Sequence, residues 1–215
     1  VWIGSAAGLY RFDGAAVQPV PTEGTTRPVT ALARSRAGSI WVGFAAGAGF
    51  IHMRDCQADR EPTPKLAPDE DVTVFQEADD GTLWIGTTAG LYRRTPGEAP
   101  RRVPGGDGMG ATIALLPDET YAGGLWVGAA RGLYRVREGR LEAVRPGHRV
   151  GALLRDGQGR LWVPELRHPI ALLDPKTGAE VGSVKDGIPY LDVHALAENE
   201  DGSVWIGTWS SLCRK

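Results

Sequence analysis

The side chains able to do chemistry in this 215-residue chain fall into a few short stretches. Four histidines, His52, His148, His168 and His194, are the groups whose ordinary pKa suits proton transfer near neutral pH. Glu165-Leu166-Arg167-His168 sets a carboxylate, a guanidinium and an imidazole in one run, and His148-Arg149 pairs two further basic groups. Tyr190-Leu191-Asp192 and Thr208-Trp209-Ser210 add a phenol, a carboxylate and an indole, and Arg131 stands apart from them. No phosphate loop, nucleophile elbow or metal-binding histidine pair accompanies these residues. The expectation is therefore a surface with no catalytic residue, no metal and no cofactor. An aromatic ring beside carboxylates and guanidinium groups suits a sugar, which offers apolar ring faces and hydroxyls that need partners. The candidate ligand-binding set is Trp209, Glu165, Arg167, His168, Tyr190, Asp192 and Arg131.

Whether such residues meet depends on the elements that carry them, and those are set by a repeat. Val1-Trp2-Ile3-Gly4, Ile40-Trp41-Val42-Gly43, Leu83-Trp84-Ile85-Gly86, Leu125-Trp126-Val127-Gly128, Leu161-Trp162-Val163-Pro164 and Val204-Trp205-Ile206-Gly207 are six versions of one phrase. Successive tryptophans in it lie 36 to 43 residues apart, and Trp209 alone falls outside it. A period near 40 built from short apolar runs marks a repeat architecture. A glycine stands three residues before Trp at Gly38, Gly81, Gly123, Gly159 and Gly202. Upstream lie short apolar runs such as Val72-Thr73-Val74-Phe75, closed by turns such as Asp79-Asp80-Gly81. Two β-rich runs joined by Asp/Gly residues read as a hairpin. A third run follows at Gly8-Leu9-Tyr10-Arg11, Gly90-Leu91-Tyr92-Arg93 and Gly132-Leu133-Tyr134-Arg135, and a weaker, polar fourth run after it.

Each unit thus predicts four short antiparallel strands, A to D, with A packed from both faces, the Trp on B filling space between sheets, and D an exposed outer edge. Such a sheet cannot cover its own faces, whereas copies stacked around an axis can. The predicted fold is all-β, a β-propeller of four-stranded blades. The units run approximately over 1–28, 29–71, 72–110, 111–149, 150–192 and 193–215, the first lacking strand A and the last strand D. Both ends bring their own B and C strands, so the reading is an arc of a larger ring. In that fold the loops entering strand A and joining B to C share one mouth, which is where the candidate set falls.

Bulk properties narrow the partners. A net charge of −2 and a pI near 6.1 give no reason to expect nucleic acid or an anionic membrane. No apolar run approaches the roughly 20 residues of a membrane helix. Cys56 and Cys213 form neither a ligand pattern nor a disulfide framework, and both are expected free.

The phrase Asp79-Asp80-Gly81-Thr82-Leu83-Trp84-Ile85-Gly86-Thr87-Thr88-Ala89-Gly90-Leu91-Tyr92-Arg93 resembles the two-component regulator propeller repeat almost position by position. Asn199 to Thr208 resembles its first half and Leu125 to Arg135 its second, while Gly47-Ala48-Gly49-Phe50-Ile51 and Pro164 to Pro169 depart from it. The resemblance implies a non-catalytic, ligand-sensing module of a bacterial membrane-bound signalling protein, periplasmic or extracellular, responsive to a small molecule such as a saccharide. Dimerisation through the parent sensor is a further expectation from it. A protein-interaction scaffold and a propeller lyase or hydrolase are the alternative readings.

Overall fold

The computed structural model describes residues 1–22, 27–54, 57–58, 66–106, 108–188 and 192–215. Among them there is no helix, and the strands form six antiparallel sheets with neighbours in chain order. The first sheet is β1 (Trp2–Ser5), β2 (Gly8–Phe12) and β3 (Val17–Val20). The second is β4 (Val29–Arg34), β5 (Ile40–Phe44), β6 (Phe50–Arg54) and β7 (Gln57–Ala58). The third is β8 (Val72–Glu77), β9 (Leu83–Thr87), β10 (Leu91–Arg94) and β11 (Arg101–Arg102). The fourth is β12 (Thr112–Asp118), β13 (Gly124–Ala129), β14 (Gly132–Arg137) and β15 (Arg140–Pro146). The fifth is β16 (Leu154–Arg155), β17 (Leu161–Pro164), β18 (Ile170–Leu173) and β19 (Glu180–Val184). The sixth is β20 (Val193–Glu198), β21 (Val204–Thr208) and β22 (Leu212–Arg214). Packing groups them into two compact units, Val1–Arg102 and Val103–Lys215, where the sequence alone reads as one continuous array.

The hairpins close where the glycines stand. Gly38, Gly81, Gly123, Gly159 and Gly202 all have φ between 69° and 84°, the left-handed region that a side chain disfavours. Aspartates brace the same turns: Asp80 accepts the Thr82 N–H at 2.9 Å and Asp201 the Ser203 N–H at 3.0 Å.

The second strands of the four four-stranded sheets form the core. All five residues of β5 and of β9 are buried, and Trp41, Trp84, Trp126 and Trp162 are between 1% and 7% exposed. In the first unit Trp2 joins Val29, Ile40 and Val42, and Trp41 joins Val72, Phe75 and Ile85. In the second unit Trp126 joins Val150, Leu161 and Val163, and Trp162 joins Val193, Val204 and Ile206. Each of these indoles therefore fills the space before the next sheet. The glycine two residues on admits the branched residue near the start of that sheet. A Cβ on Gly4 would lie 2.5 Å from a Val29 methyl, one on Gly43 2.6 Å from Val72 and one on Gly128 2.9 Å from Val150. Pro164 takes this place in the fifth sheet, and the close approach moves to Gly151, where a Cβ would meet the Val193 carbonyl at 2.1 Å.

The Arg of the third strand stands opposite the Trp. Trp2 faces Arg11, Trp84 faces Arg93, Trp126 faces Arg135 and Trp205 faces Arg214 in register. Their guanidinium carbons lie 5.8, 5.6, 4.4 and 5.8 Å from the ring centroids, within cation–π range. In the second sheet His52 stacks on Trp41 instead, at 4.1 Å. One expectation is corrected: the first strands mix buried, half-buried and exposed residues rather than being enclosed on both faces. Trp205, in the last sheet, is 37% exposed.

Candidate functional site

Antiparallel order puts the entry to each first strand and the turn between second and third strands at the same end of a sheet. In the second unit this end carries the turn between β13 and β14 with Arg131, and the entry to β16 with His148 and Arg149. It also carries the turn between β17 and β18 with Glu165 to Pro169, the entry to β20 with Asp192, and the turn between β21 and β22 with Trp209. Backbone bonds hold these loops side by side: Gly147 N–H donates to the Arg131 carbonyl at 2.9 Å and Leu166 N–H to the Arg149 carbonyl at 2.8 Å.

The side chains then divide by role. Glu165 is buried, and its two oxygens accept Arg145 Nε at 3.0 Å and Arg145 Nη2 at 3.2 Å, a bidentate pair. Arg145 Nη1 also donates to Glu180 at 3.0 Å. The Glu165 hydrogen bonds, with the charges of Glu165 and Glu180, hold the Arg145 pKa above its ordinary value against the effect of burial. Glu165 is thereby a wall of the site and not a surface group. Asp192 accepts Arg149 Nη1 at 3.0 Å and lies 3.4 Å from His194 Nε2. The His194 ring meets Trp209 edge to face, centroids 4.8 Å apart, and Trp209 is 81% exposed. The His168 ring lies 3.9 Å from that of His148, and its Nδ1 is 2.9 Å from the Leu166 carbonyl, which fixes the proton on that nitrogen. Arg131 and Arg167 are exposed, with no side-chain partner among the described residues. Tyr190 lies outside the described residues, as does Cys56; Cys213 is a half-buried free thiol.

The loop cluster thus joins Trp209, Asp192, His168, Arg167 and Arg131 and turns Glu165 inward. Sequence reasoning passed over Arg145, Arg149 and His194 as site members. Among the described residues no group of His, Cys, Asp or Glu is placed to hold a metal ion. In the first unit a cavity of about 400 Å³ is lined by Trp2, Leu32, Ala33, Arg34, Gly38 and Ile40.

Two segments, residues 67–89 and 187–210, match the family model described as two component regulator propeller. These two segments are similar to two-component regulator propeller repeats. No curated protein sequence matches it. Solved structures match its fold. The extracellular domain of a candidate one-component system from B. thetaiotaomicron aligns over 98% of this chain and 30% of its own, at 20% identity and TM-score 0.75. PorZ, a surface component of the type-IX secretion system of Porphyromonas gingivalis, aligns over 98% of this chain and 36% of its own, at 16% identity and TM-score 0.78. Virginiamycin B lyase from Staphylococcus aureus aligns over 87% of this chain and 69% of its own, at 14% identity and TM-score 0.70. The chain spans 30% and 36% of the length of the first two of those structures. At these identities the likeness concerns the β-propeller fold.

Proposed function

We propose that this region is the ligand-recognition part of an extracytoplasmic bacterial sensor, and that it binds a saccharide without transforming it. The observation that carries the reading is Trp209, an 81% exposed indole braced edge-on by His194 beside the Asp192–Arg149 pair. Exposing a tryptophan to water is costly unless a partner covers it, and a pyranose ring stacked on it is such a partner. Asp192 and Arg149 offer an acceptor and donors for the hydroxyls around that ring. The regulator-propeller match and the likeness to an extracellular sensor domain support the sensing role and the compartment. No helix among the described residues is long and apolar enough to cross a membrane.

The enzymatic alternative has one observation in its favour: His148, His168 and His194 gather at one end of one unit, on a fold shared with a lyase. One experiment separates the readings. Purified protein is screened against a saccharide library by calorimetry, wild type beside Trp209→Ala, and each bound sugar is recovered and weighed by mass spectrometry. The reading predicts intact ligand and an affinity loss of about tenfold or more in the variant. Unchanged affinity in Trp209→Ala, or cleaved ligand, contradicts it.

A further inference from the structure

Resting on that saccharide reading, we infer that the seam between the fourth and fifth sheets is an anion subsite, so that the sugar bears a carboxylate. Five basic residues, Arg131, His148, Arg149, Arg167 and His168, lie on loops that the two backbone bonds from Gly147 and Leu166 hold side by side. The acids beside them are already committed. Glu165 has both oxygens on Arg145, and Asp192 takes Arg149 and faces His194. Arg131 and Arg167 keep their guanidinium groups in solvent with no partner among the described residues. In a chain of net charge −2, the surplus of positive charge at this seam is local.

The backbone points the same way. Arg167 has φ of 64°, a left-handed conformation that costs a non-glycine residue on the order of 1 kcal/mol or more. Bonds on either side hold it there, from Leu166 N–H to the Arg149 carbonyl and from His168 N–H to the Glu165 carbonyl at 3.0 Å. Strain of this kind persists where the surrounding structure over-determines it, and here it fixes the direction in which Arg167 leaves the turn. A planar carboxylate matches the forked donors of a guanidinium, and neither a neutral hydroxyl nor water does so as well. The His148 and His168 rings lie 3.9 Å apart at the same seam, tilted by 34°.

The ligand also has a length. Arg167 and Trp209 occupy equivalent turns of the fifth and sixth sheets, and packed sheets lie about 10 Å apart. One molecule that touches both is longer than a single sugar ring. The subsite therefore fits a uronate-containing oligosaccharide, with its carboxylate in the seam and a neighbouring ring on Trp209.

The test is calorimetry on the whole chain with a panel of uronate oligosaccharides, each paired with its own methyl ester. It is repeated with the Arg131→Ala/Arg167→Ala double variant and with Trp209→Ala. The expected result is at least one acid bound about tenfold or more tighter than its ester, with that preference abolished in the double variant. Trp209→Ala weakens acid and ester alike. Equal affinity for acid and ester, or an acid preference kept in the double variant, overturns the anion subsite and leaves the saccharide reading standing. Failure of every member in both forms overturns the subsite, while the saccharide reading stands or falls on the library screen.

Discussion

The two units place the same loops at the same end of their sheets and finish them differently. In the first unit the loop before β8 is sealed. Glu70, 2% exposed, accepts Thr87 Oγ1 at 2.6 Å, the Tyr92 hydroxyl at 3.0 Å and the Ala67 N–H at 3.2 Å. Asp71 accepts the Ala46 N–H at 2.6 Å, and its own N–H goes to Thr88 Oγ1 at 3.0 Å. Burial first, and then the Glu70 hydrogen bond, pushes the Tyr92 phenol above its ordinary pKa. In the second unit the corresponding loops hold side chains against side chains: Arg145 on Glu165, Arg149 on Asp192, His194 on Trp209. The contrast shows how one repeat serves two ends. A carboxylate spent on backbone N–H groups and hydroxyls locks a loop, whereas one shared with long cationic side chains leaves groups that can turn toward a ligand.

Breaking the sealed loop has the largest expected effect. Glu70→Ala strands the Thr87 and Tyr92 hydroxyls and the Ala67 N–H, and the expected loss is about 2–4 kcal/mol by guanidinium denaturation. Saccharide affinity is expected to be unchanged under conditions where the variant is folded. Arg145→Met, in the open unit, leaves Glu165 buried without its partner and removes about 2 kcal/mol, discounted because Arg145 is partly exposed. That variant also weakens ligand binding, because Glu165 shares a turn with Arg167 and His168.

A pH measurement sharpens the point that carboxylates do structural work in the second unit too. Burial opposes ionisation of Asp156, but the Trp162 indole N–H at 2.7 Å and Arg160 outweigh it and lower its pKa from 3.8. A depressed folded-state value gives stability that is present above the unfolded value and lost as pH falls through the folded one. Stability of the wild type is thus expected to drop below about pH 4, and Asp156→Asn to flatten that drop while costing about 1–2 kcal/mol at neutral pH. The smallest expected change in stability is that of Trp209→Ala, within about 0.5 kcal/mol of wild type, since the ring is packed against little besides His194.

Much of this architecture was legible because the repeat writes the same physics several times. A glycine three before Trp needs a left-handed turn in every copy, and an indole of that size must be covered by the next sheet. The candidate loops followed from antiparallel order alone, which is why Trp209, Asp192 and His168 fall at one end. The partners did not follow. Arg145 reaches Glu165 from the neighbouring sheet, a contact of 20 residues' separation that no local pattern marks. Trp205 carries the same phrase as its buried counterparts and is 37% exposed, so the phrase alone does not fix burial.

The most direct test of the central claim uses the seven indole N–H signals, one for each tryptophan, in a nitrogen–proton NMR spectrum of the whole chain. During titration with a bound saccharide, the Trp209 signal, assigned by its loss in Trp209→Phe, is predicted to move while those of buried Trp84, Trp126 and Trp162 stay in place. A stationary Trp209 signal under a saturating ligand would contradict the account.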